Sequence, residues 1–186
     1  MRIISGKYGG IRLNPVKGDK TRPTTDKLKE AIFSMTGPYF DGGVFLDMFA
    51  GSGAVGMEAV SRGMDRAVLI DRSRQAIDTI NENLAKLHDD SFDVIRGNSF
   101  SILDDLAAKN TKFDMVFIDP PYKQQKIMQV LDQLIDKELL SDAAVVIAET
   151  DNTVELPANY REFNELKRKS YGLTNLVIYK YEGELE

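Results

Sequence analysis

Cysteine and tryptophan are both absent from the 186 residues, and histidine occurs once, as His88. Without cysteine there are no disulfides, no thiolate nucleophile and no sulfur ligands for a metal. One histidine cannot complete the ligand set of a structural zinc ion, so no metal site is expected. Long hydrophobic runs are missing too: no apolar stretch approaches the ~20 residues that span a bilayer. The N-terminal MRIISGKYGG lacks the apolar core of a signal peptide. These absences point to a cytoplasmic protein with no membrane partner. Internal repeats and low-complexity tracts are also lacking. What is present is ordinary for a soluble globular chain, with 42% hydrophobic and 28% charged residues. The length suits one well-buried core rather than two full domains.

The net charge of −5 is unevenly placed. Residues 1–29 hold eight basic side chains (Arg2, Lys7, Arg12, Lys17, Lys20, Arg22, Lys27, Lys29) against Asp19 and Asp26, a local +6, leaving −11 on the remainder. A basic arm on an acidic body is suited to meeting phosphates. A merely solvated, charged N-terminus has the same composition.

Loose alternation around Gly9-Gly10 predicts a β-hairpin, with Arg2–Ser5 pairing with Ile11–Asn14. A helix should start at Thr25 or Asp26, with Leu28, Ile32 and Met35 among its apolar positions, and stop at Gly37-Pro38. From Gly43 strands and helices alternate. Strands are predicted at Val44–Phe49, Ala67–Ile70, Phe92–Ile95, Phe113–Ile118 and Ala143–Glu149. Helices are predicted at Gly53–Arg62, Arg74–Leu87, Ser101–Ala108 and about Gln125 to Lys137. In the second of these Ile77, Ile80, Leu84 and Leu87 mark one apolar face. Such alternation indicates an α/β fold, a mostly parallel sheet covered on both faces in a three-layer sandwich. Arg161–Ser170 and Asn175–Tyr181, joined by Tyr171-Gly172-Leu173-Thr174, form a C-terminal antiparallel hairpin. The basic hairpin extension is assigned to residues 1–22 and the main domain to 23–186.

The segment FLDMFAGSGAVGMEA sets Gly51, Gly53 and Gly56 in a G-x-G-x-x-G pattern between a strand and a helix. Asp71 closes the next strand, where a carboxylate can accept hydrogen bonds from both hydroxyls of a ribose. This context leaves a nicotinamide dehydrogenase in play. Two details pull away from it. Asp47 precedes the glycines at the strand's exit, where it would repel a pyrophosphate at the helix N-terminus. A ligand with a free ammonium and a sulfonium, such as S-adenosylmethionine, is favoured there. Phe49-Ala50 lengthens the loop and makes room for an amino-acid tail.

Asp119-Pro120-Pro121-Tyr122 ends the fourth strand, whose exit in an open α/β sheet of this kind is expected beside the first strand and the same crevice. The prolines remove N–H donors and stiffen the backbone. The segment therefore presents acceptors, the Asp119 carboxylate and the Pro120 carbonyl, beside the flat ring of Tyr122. An acceptor pair next to an aromatic ring suits an exocyclic amino group on a nucleobase. Its delocalised lone pair can be aimed at an electrophilic methyl group once both N–H bonds are held. Hydride transfer has no use for this arrangement, which argues against the dehydrogenase. The missing cysteines close the thiolate route of ring-carbon methylation; amino methylation needs no protein nucleophile.

These residues resemble a class I S-adenosylmethionine-dependent methyltransferase with a DPPY motif. More narrowly, MRIISGKYGG, TRPTTDKLKEAIFSM, DMFAGSGAVGMEAVSRG and FIDPPY resemble the RsmD family of bacterial 16S rRNA guanine-N2 methyltransferases, over nearly the whole chain. The resemblance implies a Rossmann-like methyltransferase domain, an S-adenosylmethionine cofactor and a small-subunit rRNA partner, naked or within the 30S particle. By it, Asp47, Phe49, Ala50, Gly51, Ser52 and Gly53 line the methionine and ribose site. Asp71 binds ribose, Arg72 lies beside adenine, and Asn98, Ser99 and Phe100 surround it. Asp119, Pro120, Pro121 and Tyr122 hold the guanine amino group. Arg22, Thr24 and Lys27 lie at the cleft mouth, near the cofactor tail and RNA; Arg2, Lys7 and Arg12 of the basic arm are expected, from their charge, to hold flanking phosphates. Lys27 and Lys29 stand where arginine is expected in many members, so charge remains but the bidentate fork does not.

A DNA amino methyltransferase would use the same four residues, although the chain has no room for a separate target-recognition domain. A non-catalytic ribosome-assembly module is the third reading, and an intact acceptor pair argues against it. His88 reads as a helix-end residue, Met48, Met57 and Met115 as core, and Tyr160, Tyr171, Tyr179 and Tyr181 as hairpin packing. Arg161, Lys167, Arg168 and Lys169 read as a solvated strand face.

Overall fold

The Thr25 side chain accepts the Leu28 N–H at 3.2 Å and so caps the first helix, α1 (Asp26–Thr36), where its sequence signal lies. In the computed structural model, which describes residues 1–18, 24–121 and 123–183 and leaves the side chains of 123–125 undescribed, this helix belongs to the first of two units, Met1–Ser99 and Phe100–Glu186.

The first unit continues with β1 (Val44–Asp47), α2 (Ala54–Ser61), β2 (Arg66–Asp71), α3 (Arg74–Ala85) and β3 (Phe92–Arg96). Its strands run parallel in the order β3-β2-β1. β1 ends two residues before its expected limit at Phe49, because the Ala50 N–H turns aside to the Ile70 carbonyl at 2.8 Å. α2 is buried along its whole length. The covered face of α3 is Ala76, Thr79, Ile80 and Asn83; Ile77 and Leu84, expected on it, are only half-buried. Met48 and Met57 are core, as expected, and His88 follows α3 in a left-handed conformation (φ 51°).

The N-terminal hairpin is shorter than its sequence suggests. It is reduced to one antiparallel bridge between Arg2 and Arg12, with Ile3 N–H donating to Ile11 O and Leu13 N–H to Met1 O. The physical reason is competition for the backbone donors. Ile4 and Ser5 donate to the Glu58 carboxylate, while Lys7 and Tyr8 donate to the Ser61 carbonyl and hydroxyl. The chain is zipped onto α2 instead of onto itself.

The second unit contains α4 (Ser99–Ala108) apart from its first residue, β4 (Phe113–Ile118), α5 (Lys123–Asp136), β5 (Leu140–Asp151), β6 (Asn159–Tyr160), β7 (Phe163–Tyr171) and β8 (Thr174–Tyr181). Strand order is β4-β5-β8-β7-β6. β4 and β5 are parallel and the rest pair antiparallel, so the expected α/β sheet with a C-terminal hairpin is present. The hairpin turns at Gly172-Leu173, with φ +60° at Gly172, a conformation glycine adopts without strain. β5 starts before Ala143 because the register slips between Phe113 and Met115, and Ala143 takes φ 58°. That irregularity accommodates Ser141-Asp142, whose polarity hides the start of the strand. β6 pairs over only two residues, Asn159 and Tyr160, and is too short to leave a periodic signal.

Of the tyrosines read as hairpin packing, Tyr179 and Tyr181 pack on Phe163, whereas the Tyr160 hydroxyl donates to Asp132 at 2.9 Å. Tyr179 is fully buried against Phe163 and donates to the Pro157 carbonyl at 2.6 Å; burial pushes its hydroxyl up to about 12. Arg161 is held by Asp132 and Asp136 on α5, and Arg168 by Glu165 and the Leu156 carbonyl. The C-terminal basic run is thus largely engaged within its own unit.

Candidate active site

The three glycines of the G-x-G-x-x-G pattern, two in the loop after β1 and one inside α2, do different jobs. Gly51 has φ +56°, and a Cβ built on it would meet nothing within 4 Å, so the loop presents open backbone there. Gly53 has φ +80° and caps α2, and a Cβ there would come within 2.8 Å of Met57 Cε. At Gly56 a Cβ would lie 2.2 Å from Leu69 Cδ2. Gly56 therefore lets α2 sit directly on β2, and Leu69, fully buried, has little room to yield. Gly56→Ala is expected to cost about 1–3 kcal/mol through overpacking, read as a lower urea midpoint with an unchanged m-value.

Asp71, at the end of β2, joins the loop to its surroundings. Its Oδ2 accepts the Gly51 N–H and its Oδ1 the Ser73 N–H, each at 2.9 Å. A carboxylate has about four acceptor positions, so capacity remains for two ribose hydroxyls. The Asp71 carbonyl accepts the Gly97 N–H at 3.1 Å, which brings the exit of β3 beside that of β2. Asn98 is exposed at this exit. Ser99 is buried, with its hydroxyl donating to the Met48 carbonyl at 2.6 Å, so its side chain braces the end of β1. Asp47 is buried at the end of β1, Phe49 is half-buried and Ala50 buried, while Arg72 is exposed. The first unit thus gathers Asp47 through Gly53, Asp71, Arg72, Asn98 and Ser99 at the carboxyl ends of three adjacent strands. In the second unit the Phe100 ring lies 5.1 Å beneath the Lys126 ammonium.

In that second unit β4 ends at Ile118, in register with Ala148 of β5. Asp119 emerges partly exposed, Pro120 is buried and Pro121 is exposed. Tyr122 lies outside the described residues, as does Arg22.

The basic N-terminus is more occupied than its composition suggests. Lys29, counted with the arm, is fully buried and 3.4 Å from Glu58, and it also donates to the Arg2 carbonyl. Burial pulls its pKa down, against the opposing pull of Glu58 and Asp26. Arg2 lies 3.7 Å from Asp26, and Lys7 is paired with Asp89 at 2.9 Å. Burial pushes the Asp89 carboxyl up, but hydrogen bonds from Ser91, Tyr8 and Lys7 outweigh it and hold the group well below the usual carboxylate range. Arg12 and Lys27 are exposed, and Thr24 half-buried.

Two residues outside the sequence-based site organise this unit. Glu58, fully buried on α2, accepts hydrogen bonds from Ile4 N–H, Ser5 N–H, Lys29 and Arg62. The signal for it was a lone carboxylate inside the otherwise apolar run Ala54–Val60. Asn83, also fully buried, bonds to the backbone of both Asn14 and Ser52.

The family model described as conserved hypothetical protein 95 matches residues 1–180. The chain belongs to this family. YlbH of Bacillus subtilis is 44% identical over 184 residues, covering 98% of this chain and all of that one. Ribosomal RNA small subunit methyltransferase D of Escherichia coli is 32% identical over 186 residues, covering 100% of this chain and 92% of its own. The RsmD-family resemblance read from the motifs is therefore borne out. The solved structure of yhhF from Escherichia coli, 34% identical, aligns with a TM-score of 0.84 over 99% of both chains. Among the described residues no helix is long and apolar enough to cross a membrane, and no group of three His, Cys, Asp or Glu side chains gathers for a metal.

Proposed function

We propose that this protein transfers a methyl group from S-adenosylmethionine to the exocyclic N2 amino group of a guanine in small-subunit ribosomal RNA, in the cytoplasm. The observation that carries the reading is an intact Asp119-Pro120-Pro121-Tyr122 at the exit of β4 in a chain of this family. The first unit's residues fit the cofactor. Open backbone at Gly51, spare acceptor positions on Asp71 and a buried carboxylate at Asp47 suit a tail ammonium, a ribose and a sulfonium. When bound, the cofactor supplies a methyl carbon made electrophilic by the adjacent sulfonium.

The chain's own residues then bind and orient. Asp71 accepts the ribose hydroxyls, Asp47 balances positive charge, and Phe49 through Gly53 shape the tail pocket. Arg72, Asn98, Ser99 and Phe100 flank the adenine. Asp119 and the Pro120 carbonyl accept the two N–H bonds of the guanine amino group and direct its lone pair. Pro121 keeps the lip stiff, and Tyr122 stacks on the base, worth ~1–3 kcal/mol. Most of the acceleration is positioning rather than acid–base chemistry. The target base must leave its stack, at a cost of a few kcal/mol, least where the RNA is single-stranded. Arg2, Lys7, Arg12, Arg22, Thr24 and Lys27 hold flanking phosphates, with Lys7 exchanging Asp89 for one of them.

A DNA amino methyltransferase and a non-catalytic assembly module are not favoured, since the full-length Escherichia coli relative is named for ribosomal RNA methylation. The test supplies methyl-labelled S-adenosylmethionine with naked 16S rRNA, or with 30S particles, from cells lacking the enzyme. Labelled N2-methylguanosine is expected in one substrate form or both; label in N6-methyladenine would overturn the guanine assignment.

A further inference from the structure

Asn83 is a fully buried amide on α3 whose hydrogen bonds all run to the backbone of other segments. Its Nδ2 donates to the Ser52 carbonyl and to the Asn14 carbonyl, both at 3.0 Å, and its Oδ1 accepts the Asn14 N–H at 2.7 Å. Two carbonyls on one side and an N–H on the other fix which way the amide points. Burying such a group without partners costs about 1–3 kcal/mol, so its place is explained by what it joins. Ser52 is the middle of the glycine loop. Asn14 ends the N-terminal segment that begins with the Arg2–Arg12 bridge.

Neighbouring side chains of α3 strengthen the same joint. Lys86 donates to the Arg12 carbonyl at 2.9 Å and to Asn14 Oδ1 at 3.1 Å. The Asn14 amide donates to Glu82 at 3.3 Å. From the other side the Ser52 hydroxyl approaches the Met1 sulfur at 3.8 Å. Asn83 is therefore hydrogen-bonded to the N-terminal segment and to the glycine loop at once, and is the fully buried side chain of this joint.

We propose that Asn83 is a positioning residue that couples RNA engagement by the N-terminal segment to cofactor binding on the glycine loop. This rests on the function proposed above for those two elements. Coupling of this kind is reciprocal, so RNA must tighten the cofactor by the same factor as the cofactor tightens RNA.

The experiment measures S-adenosylhomocysteine affinity by calorimetry, with and without saturating substrate RNA from the transfer assay. For the wild type the ratio of the two dissociation constants is expected to be about 5 or more, in the usual range of such couplings. Asn83→Ala should bring the ratio to near 1. Lys86→Ala, an exposed change that leaves the core intact, should lower it part of the way and keeps the test available where Asn83→Ala does not fold. A merely structural role for Asn83 would lower the melting temperature and leave the ratio unmoved, which overturns the proposal. So does a wild-type ratio of 1 in a protein that still transfers methyl groups. Absence of both cofactor binding and methyl transfer in the wild type would instead overturn the functional reading.

Discussion

Asp119→Ala is expected to lower single-turnover methyl transfer by about 10²–10³-fold, the usual cost of deleting one preorganised hydrogen-bond partner from a reacting group. Affinity for S-adenosylhomocysteine, measured by calorimetry, should stay within a factor of two or three of the wild type. The split follows from the roles proposed above. Asp119 leaves the end of β4 in the second unit, while the glycine loop and Asp71 belong to the first. In the function proposed above, this side chain would serve the amino group to be methylated, and the ribose and methionine contacts would fall to Asp71 and the glycine loop. Asp119→Asn keeps one acceptor oxygen and should retain more activity than alanine. Equal loss of transfer and cofactor affinity in Asp119→Ala would mean that the carboxylate belongs to the cofactor.

The second large effect is on stability. Glu58→Ala should destabilise the fold by about 3–5 kcal/mol, because deleting one partner of a buried ion pair strands the others. Lys29 is fully buried and Arg62 nearly so; Glu58 is the buried carboxylate that pairs with both, and without it the ion partner left to Lys29 among the described residues is the half-exposed Asp26 at 3.9 Å. Ile4 and Ser5 would lose their acceptor as well. Against a typical total stability of about 5–15 kcal/mol, this brings a domain close to unfolding. Urea denaturation measures it, and a loss below about 1 kcal/mol would refute the account of the network.

The pH dependence has a definite sign. Lys29 is already held below its ordinary value of 10.5 by burial. Without Glu58 the strongest opposing charge is gone, and the depression deepens. Between the lowered folded value and 10.5 the unfolded chain binds more protons than the folded one, so stability rises with pH there. The deficit of Glu58→Ala should therefore narrow as pH increases toward 10.

Many of the strands and helices were legible because each carries its own local signal. β4 occupies the residues that its apolar run indicates, and Thr25 marks the start of α1. Methionine and tyrosine packing followed from simple hydrophobic logic. What was not legible depends on contacts far apart in the chain. The alternation at residues 2–14 suggests a hairpin, yet Ile4, Ser5, Lys7 and Tyr8 give their donors to α2. Lys29 reads as a surface cation until its spacing from Ile32 and Phe33 is noticed, which places it on the buried face of α1. Asn83 breaks an apolar stripe on α3, and composition alone cannot say whether such a residue faces water or ties two segments together.

Attachment of the N-terminus to α2 and α3 also bears on biosynthesis. The bonds from Ile4 to Glu58, Asn14 to Asn83 and Lys7 to Asp89 span 54, 69 and 82 residues. Residues made first must wait for partners made 54 to 82 residues later, for seconds at typical rates of chain elongation. Until α2 has left the ribosome the nascent segment has no berth, and until Asp89 follows, Lys7 lacks its ion-pair partner, so these cations are exposed beside the polyanion that is producing them. Sequence separation of this size also slows closure in refolding, so the cationic end docks only once α2 and α3 are available to receive it.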